Sequence, residues 1–143
     1  MKTNKGFSLL ELLIVVAIIL IVATIAIPSL LRSRQAANES SAVANIRSFN
    51  TAEVSYSSSD GGTFGTIADL TGSGLLDSRF TTTFSGYNYS VTLGGGALDY
   101  TVYATAAASN TGRYDYYSTP DYVIRYSTAA SRAPAGLTGE PVR

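Results

Sequence analysis

Near the amino terminus, one carboxylate and one peptide bond could do chemistry. Glu11 is the single ionisable side chain among the 25 residues 7–31. An ionised carboxylate within a bilayer costs about 2.5 kcal/mol or more, so Glu11 should have a cationic partner. Cleavage of the bond between Gly6 and Phe7 would supply one, because the new α-amino group on Phe7 is a cation. A neighbouring copy of the chain, shifted along the helix axis, could bring that amino group to Glu11.

Glu11 also has two simpler interpretations. Ser8 and Glu11 have the spacing of the S-x-x-E capping box, in which each side chain accepts a hydrogen bond from the other residue's backbone. An acid in the first turn of a helix is also favoured by the helix dipole. Either role can coexist with charge pairing in a membrane helix, and we favour pairing.

The apolar run that follows these groups predicts a membrane-spanning helix. Residues 7–31 would extend about 37 Å as a helix, which is enough to cross a bilayer core of about 30 Å. In a cleaved secretory signal the small-residue cleavage site follows the apolar core. Here Gly6 precedes the core and follows Lys2 and Lys5. Cleavage would therefore remove a basic leader, residues 1–6, and leave the apolar segment on the mature chain.

From Lys5 to about residue 56, with the hexapeptide Gly-Phe-Ser-Leu-Leu-Glu before the apolar run, the chain resembles the N-terminal segment shared by type IV pilins and type II secretion pseudopilins. The resemblance implies that a prepilin peptidase cuts after Gly6 and that the amino group of Phe7 is methylated. It implies a role for Glu11 in aligning subunits during assembly. It further implies an assembly ATPase and an inner-membrane platform protein as partners.

Pro28 lies late in the apolar segment. It has no N–H, and its ring opposes the carbonyl of Thr24, so it is predicted to kink or loosen the helix. The alternative is that Pro28 ends the membrane helix. Residues 29–59 contain neither glycine nor proline, which favours a helix that continues.

The second half of the helix, residues 32–59, is predicted to be amphipathic. Its apolar residues recur at helical spacing, and its other face is polar. This pattern indicates that one side packs against a compact domain. The apolar positions are Ala42, Val43, Ile46, Phe49, Ala52 and Tyr56, and the polar ones are Ser41, Arg47, Ser48, Thr51 and Ser55.

Beyond a connecting loop at residues 60–86, alternating apolar and polar side chains predict an antiparallel sheet over residues 87–127. Two strands flank the glycine turn at 94–96, and two shorter ones are expected at 114–117 and 122–126. Residues 128–143 are predicted to be an irregular tail. The fold class is thus α+β: a long N-terminal helix, half transmembrane and half amphipathic, on a sheet of about four strands.

Composition argues against catalysis. The 143 residues include neither cysteine nor histidine, which removes thiol and Ser-His nucleophiles and the commonest zinc ligands. We therefore predict a protein that is not an enzyme, with no cofactor and no metal site. Ten basic residues balance ten acidic ones, so there is no strong signal for nucleic-acid binding.

The sequence predicts a structural subunit, a type IV pilin, that polymerises with itself into a pilus filament. Before assembly it would lie in the lipid of the bacterial inner membrane as a single-pass protein with a cytoplasmic leader. Afterwards it would be part of an extracellular pilus. One alternative is a pseudopilin of a type II secretion system, in a periplasmic pseudopilus. A more remote one is an uncleaved, membrane-anchored binding module.

Overall fold

The structure is a computed structural model that describes residues 6–127 and 139–142 of the chain. Most of the predicted leader and of the predicted irregular tail lies outside these residues. The backbone divides into two compact units, Met1–Arg34 and Gln35–Arg143.

One α-helix, α1, covers Leu9–Ser59. Pro28 lies inside it, so this residue does not end the helix, and the predicted kink stays a prediction. Two hydroxyl groups close to Pro28 bond backbone carbonyls of the preceding turn. Thr24 Oγ1 donates to the carbonyl of Ile21 at 2.7 Å, and Ser33 Oγ donates to that of Ser29 at 3.0 Å.

In the second unit, the predicted amphipathic face of α1 is confirmed. Ala42, Ile46 and Phe49 are fully buried, and Ala52 is 4% exposed. Val43 and Tyr56 pack partly buried against the same core. On the polar face, most of the predicted residues are exposed and Ser41 is half-buried. Helical spacing therefore places the apolar stripe on the core.

The sheet is antiparallel, and its five strands are adjacent in sequence order. Tyrosine rings from alternate strand positions fill its inner face: Tyr87 and Tyr100 are 0% and 1% exposed. This confirms the α+β fold class, with one strand more than expected. The strands are β1 (Tyr87–Gly94), β2 (Asp99–Ala106), β3 (Asp115–Ser118), β4 (Ile124–Ser127) and β5 (Glu140–Pro141).

The bounds of the helices and strands differ from the expected ones in the connecting segments, where the sequence has no periodic pattern of apolar residues. The segment 60–86 is more than a loop, because it contains helix α2 (Ile67–Gly72) and a 3-10 helix (Ser78–Thr81). Tyr122 lies in a turn with a φ of 61° instead of starting a strand. The two-residue strand β5 lies within the tail that was expected to be irregular.

Polar contacts fasten the β2–β3 loop to the first turns of α1 in this unit. Asn38 Nδ2 donates to the carbonyl of Thr111 at 2.8 Å. Arg113 forms a bidentate pair with Glu39, at 3.1 Å from Nε to Oε1 and 2.9 Å from Nη2 to Oε2. The Arg113 backbone N–H also donates to Glu39 Oε1, at 2.7 Å. A planar guanidinium matches a carboxylate in this two-point geometry, so the loop is fixed in one place.

Gly112, in the same loop, is predicted to be intolerant of any side chain. A Cβ at this position would overlap the Tyr87 hydroxyl oxygen, and that hydroxyl donates to the carbonyl of Tyr114 at 2.8 Å. We expect Gly112→Ala to lower the free energy of unfolding by about 1–3 kcal/mol, as overpacking does. Chemical denaturation followed by near-UV circular dichroism measures this. The matched control is Gly72→Ala, because nothing lies within 4 Å of that Cβ. Equal stability losses in both variants would contradict the prediction.

Candidate processing and assembly segment

The start of α1 carries a capping box. The Ser8 backbone N–H donates to Glu11 Oε2 at 3.1 Å, and the Glu11 backbone N–H donates to Ser8 Oγ at 3.2 Å. Two of the four N–H groups that the first turn cannot satisfy internally are thereby bonded. The single chain thus contains the hydrogen bonds that the capping interpretation of Glu11 expects. These bonds leave the second carboxylate oxygen, Oε1, for another partner.

Within residues 6–127 and 139–142, the two ion pairs are Arg113–Glu39 and Arg125–Asp121. Glu11 is in neither of them, and it is exposed. Its carboxylate therefore lies in an apolar segment with hydrogen bonds from the helix start but no cation from the described part of its own chain.

The predicted cleavage point lies in non-helical backbone just before α1. Gly6, Phe7 and Ser8 precede the first helical residue, Leu9. Phe7 is 87% exposed, and nothing lies within 4 Å of where a Gly6 Cβ would be. Exposed backbone outside regular structure is what proteases reach, so the Gly6–Phe7 bond is accessible.

Behind this bond lies a continuous apolar surface. Every large apolar side chain from Leu9 to Leu31 is 45–82% exposed in the single chain. By length and composition, α1 could cross a membrane. Soluble monomers rarely expose more than a few hundred Å² of contiguous apolar surface, so this segment needs lipid or other protein around it.

Several buried polar residues on the core face of α1 were not predicted. Asn50 Nδ2 donates to Ser118 Oγ at 2.9 Å, and Asn50 Oδ1 accepts from the Tyr100 hydroxyl at 3.0 Å. Asn45 Nδ2 donates to the Tyr89 hydroxyl oxygen at 2.8 Å. Their spacing from the apolar stripe could have revealed them, since residues three and four apart share a helix face.

The start of the apolar helix, with the acid in its first turn, is the part of the chain that a family model matches. The family described as "Prokaryotic N-terminal methylation motif" matches residues 1–27. This match covers Gly6, Phe7 and Glu11, the residues that the sequence singled out.

Two curated proteins are similar to part of this chain. The type IV major pilin protein PilA of Myxococcus xanthus is 46% identical over 53 residues, which are 37% of this chain and 24% of that protein. The type IV wide pilus major component PilA4 of Thermus thermophilus is 56% identical over 39 residues, which are 27% and 30% of the two chains. The match thus spans less than a third of either relative. No solved structure matches the chain.

Proposed function

We propose that this chain is a pilin: a membrane-anchored precursor that is cut between Gly6 and Phe7 and then polymerises with itself into a pilus filament. The observation that carries the proposal is an acid in an exposed apolar helix that has no cation beside it among the described residues. Glu11 has hydrogen bonds from the helix start, yet no described cation lies within ion-pair distance of it. Cleavage would create the missing cation on Phe7.

Pairing between copies follows from this chemistry. Within one chain, the amino group of Phe7 and the carboxylate of Glu11 belong to the same helix start, where Glu11 already bonds the backbone N–H of Ser8. A neighbouring copy displaced along the helix axis would place its own Phe7 amino group beside this carboxylate. Each subunit would then neutralise one charge of the next, and the displacement between subunits would be fixed.

The apolar surface supplies the association energy. Its side chains lie in lipid before assembly, and in a fibre outside the membrane they would be buried by the helices of other copies. Burial from water is worth about 25 cal/mol per Å² of apolar surface. Leaving the lipid costs a comparable amount, so assembly should need an energy source. The assembly ATPase and platform protein that the resemblance implies would fill that role.

Processing has a direct test, namely the N-terminal sequence and mass of the protein in sheared surface material. We expect the chain to begin at a methylated Phe7. In a Gly6→Leu variant we expect the precursor to keep residues 1–6 and form no fibre. A Cβ at position 6 would meet no described atom within 4 Å, so we would attribute loss of cleavage to recognition by the peptidase. An intact N-terminus in the wild-type protein would contradict the proposal and favour an uncleaved anchor.

Electron microscopy of sheared fibres distinguishes a surface pilus from a short periplasmic pseudopilus. We expect long fibres that contain this chain as their subunit. Processed chain without surface fibres would instead favour a pseudopilin of a type II secretion system.

A further inference from the structure

A buried carboxylate in the second unit is unrelated to the processing segment. Glu53 lies on the core face of α1 and is 0% exposed. Its Oε2 accepts a hydrogen bond from the Gly65 backbone N–H at 3.0 Å. Its Oε1 is buried and has no hydrogen-bond partner among the described residues. A buried polar atom without a partner is costly, and a buried charge without a cation is more so.

Among the described residues, the titratable groups around Glu53 add no positive charge. The titratable groups that face it are Asp69 on α2, Tyr56 on α1 and Tyr100 on β2, and Asp60 faces Tyr56 in turn. Burial raises the pKa of the Glu53 carboxyl group; the Gly65 hydrogen bond lowers it, and the Asp69 carboxylate raises it further. This pKa is raised overall.

The hydrogen bond from Gly65 is one of the contacts that join α1 to a segment whose Leu70 side chain is fully buried in the core. In this segment, which includes α2, the Phe64 backbone N–H donates to the carbonyl of Ala97 at 2.8 Å, and the Phe64 ring packs edge-on against Tyr100 at 4.6 Å between centroids. A Cβ on Gly65 would lie 3.1 Å from Tyr56 Cε1. The backbone therefore approaches α1 closely where the carboxyl group is buried.

We propose that Glu53 is a proton-operated latch, which holds residues 64–73 against α1 while its carboxyl group is neutral and loosens them when the group ionises. The neutral form keeps Oε2 as the acceptor for Gly65 and removes the cost of a buried charge. Ionisation places a negative charge beside Asp69 with no described cation to offset it. If residues 64–73 moved and admitted water, both the cost of the buried charge and the repulsion between Glu53 and Asp69 would be lowered. This inference does not depend on the proposed function.

The direction of the pH effect follows from proton linkage. The folded state keeps the Glu53 proton to a higher pH than the unfolded chain does, so the folded state is favoured most below the ordinary glutamate pKa. Stability should fall as the pH rises from that value to the raised pKa of the folded state, and should then level off. An acid that is ion-paired in the folded state would give the opposite slope.

The test is thermal unfolding of the full chain in detergent micelles between about pH 4 and about pH 8, followed by the near-UV circular dichroism of the tyrosines. We expect the wild-type Tm to fall by about 5 °C across this range relative to Glu53→Gln, which stays neutral and keeps an acceptor for Gly65. The matched control is Asp60→Asn, an exposed acid at the end of the same helix, and it should follow the wild type. Parallel wild-type and Glu53→Gln profiles would overturn the proposal.

A second measurement needs no variant. The amide resonance of Gly65 in the wild-type chain reports directly on the group to which it donates. We expect it to titrate with a midpoint above the usual glutamate range, together with loss of hydrogen-exchange protection across α2. A Gly65 amide shift that is constant across the same pH range would refute the latch, even if Glu53→Gln failed to fold.

Discussion

Glu11→Ala is expected to leave cleavage intact and to reduce the yield of surface filaments by about tenfold or more. In the wild-type fibre, the amino group of Phe7 would be neutralised by Glu11 of a neighbouring copy. Without Glu11 that cation stays unpaired in an apolar core, where a charge costs about 2.5 kcal/mol or more, and each 1.4 kcal/mol is about a factor of ten. Immunoblots of sheared fibres against total processed subunit measure the yield.

Glu11→Gln separates charge pairing from helix capping. Glutamine can also occupy the N3 position of a capping box. It can therefore preserve the hydrogen bond that the Ser8 backbone N–H donates to the side chain at position 11, while it removes the charge. If pairing is the main role, Glu11→Gln loses filaments as Glu11→Ala does. Normal filaments in Glu11→Gln with few in Glu11→Ala would assign the effect to capping and contradict the proposed pairing. Glu140→Ala, at an exposed acid on β5, is the control for loss of a charge.

The parts of the fold that could be predicted are those in which burial repeats with a local period. Ala42, Ile46 and Phe49 share one helix face because of their spacing. Tyr87 and Tyr89 share one sheet face because side chains alternate along a strand. Each pattern is visible within a dozen residues and needs no knowledge of the partner element.

The parts that could not be predicted depend on contacts between distant residues. Glu39 is buried because Arg113, 74 positions further along the chain, supplies a guanidinium and a backbone N–H. Glu53 is buried because the chain folds Gly65 back onto it. Their spacing from Ala42 and Phe49 places both acids on the core face of the helix, but the distant groups that bond them are not visible in the local sequence. At the processing segment, by contrast, the informative residues lie within six positions, so their types and spacing could be interpreted directly.

The largest loss of stability in the second unit is expected from Phe49→Ala. Phe49 is fully buried. Its ring stacks on Tyr89 at 5.6 Å between centroids and meets Phe80 edge-on at 5.0 Å. Truncation removes the packing between α1, the 3-10 helix and β1 at one point. Such changes cost about 3–5 kcal/mol, a large share of the 5–15 kcal/mol or so that holds a typical domain together.

Denaturant unfolding of the full chain in micelles, followed by tyrosine near-UV circular dichroism, measures this loss. Val54→Ala is the matched control, because Val54 lies on the same helix but is 43% exposed, and it should cost well under 1 kcal/mol or so. A loss of less than about 1 kcal/mol for Phe49→Ala would mean that the core can close over the cavity.

The expected loss has a further consequence for assembly. A subunit with an unfolded second unit still has Gly6, Phe7 and Glu11, so it should be cleaved normally yet be depleted from fibres. Loss of cleavage at Gly6 should therefore also prevent assembly, whereas a change at Glu11 or Phe49 should reduce assembly and leave cleavage intact.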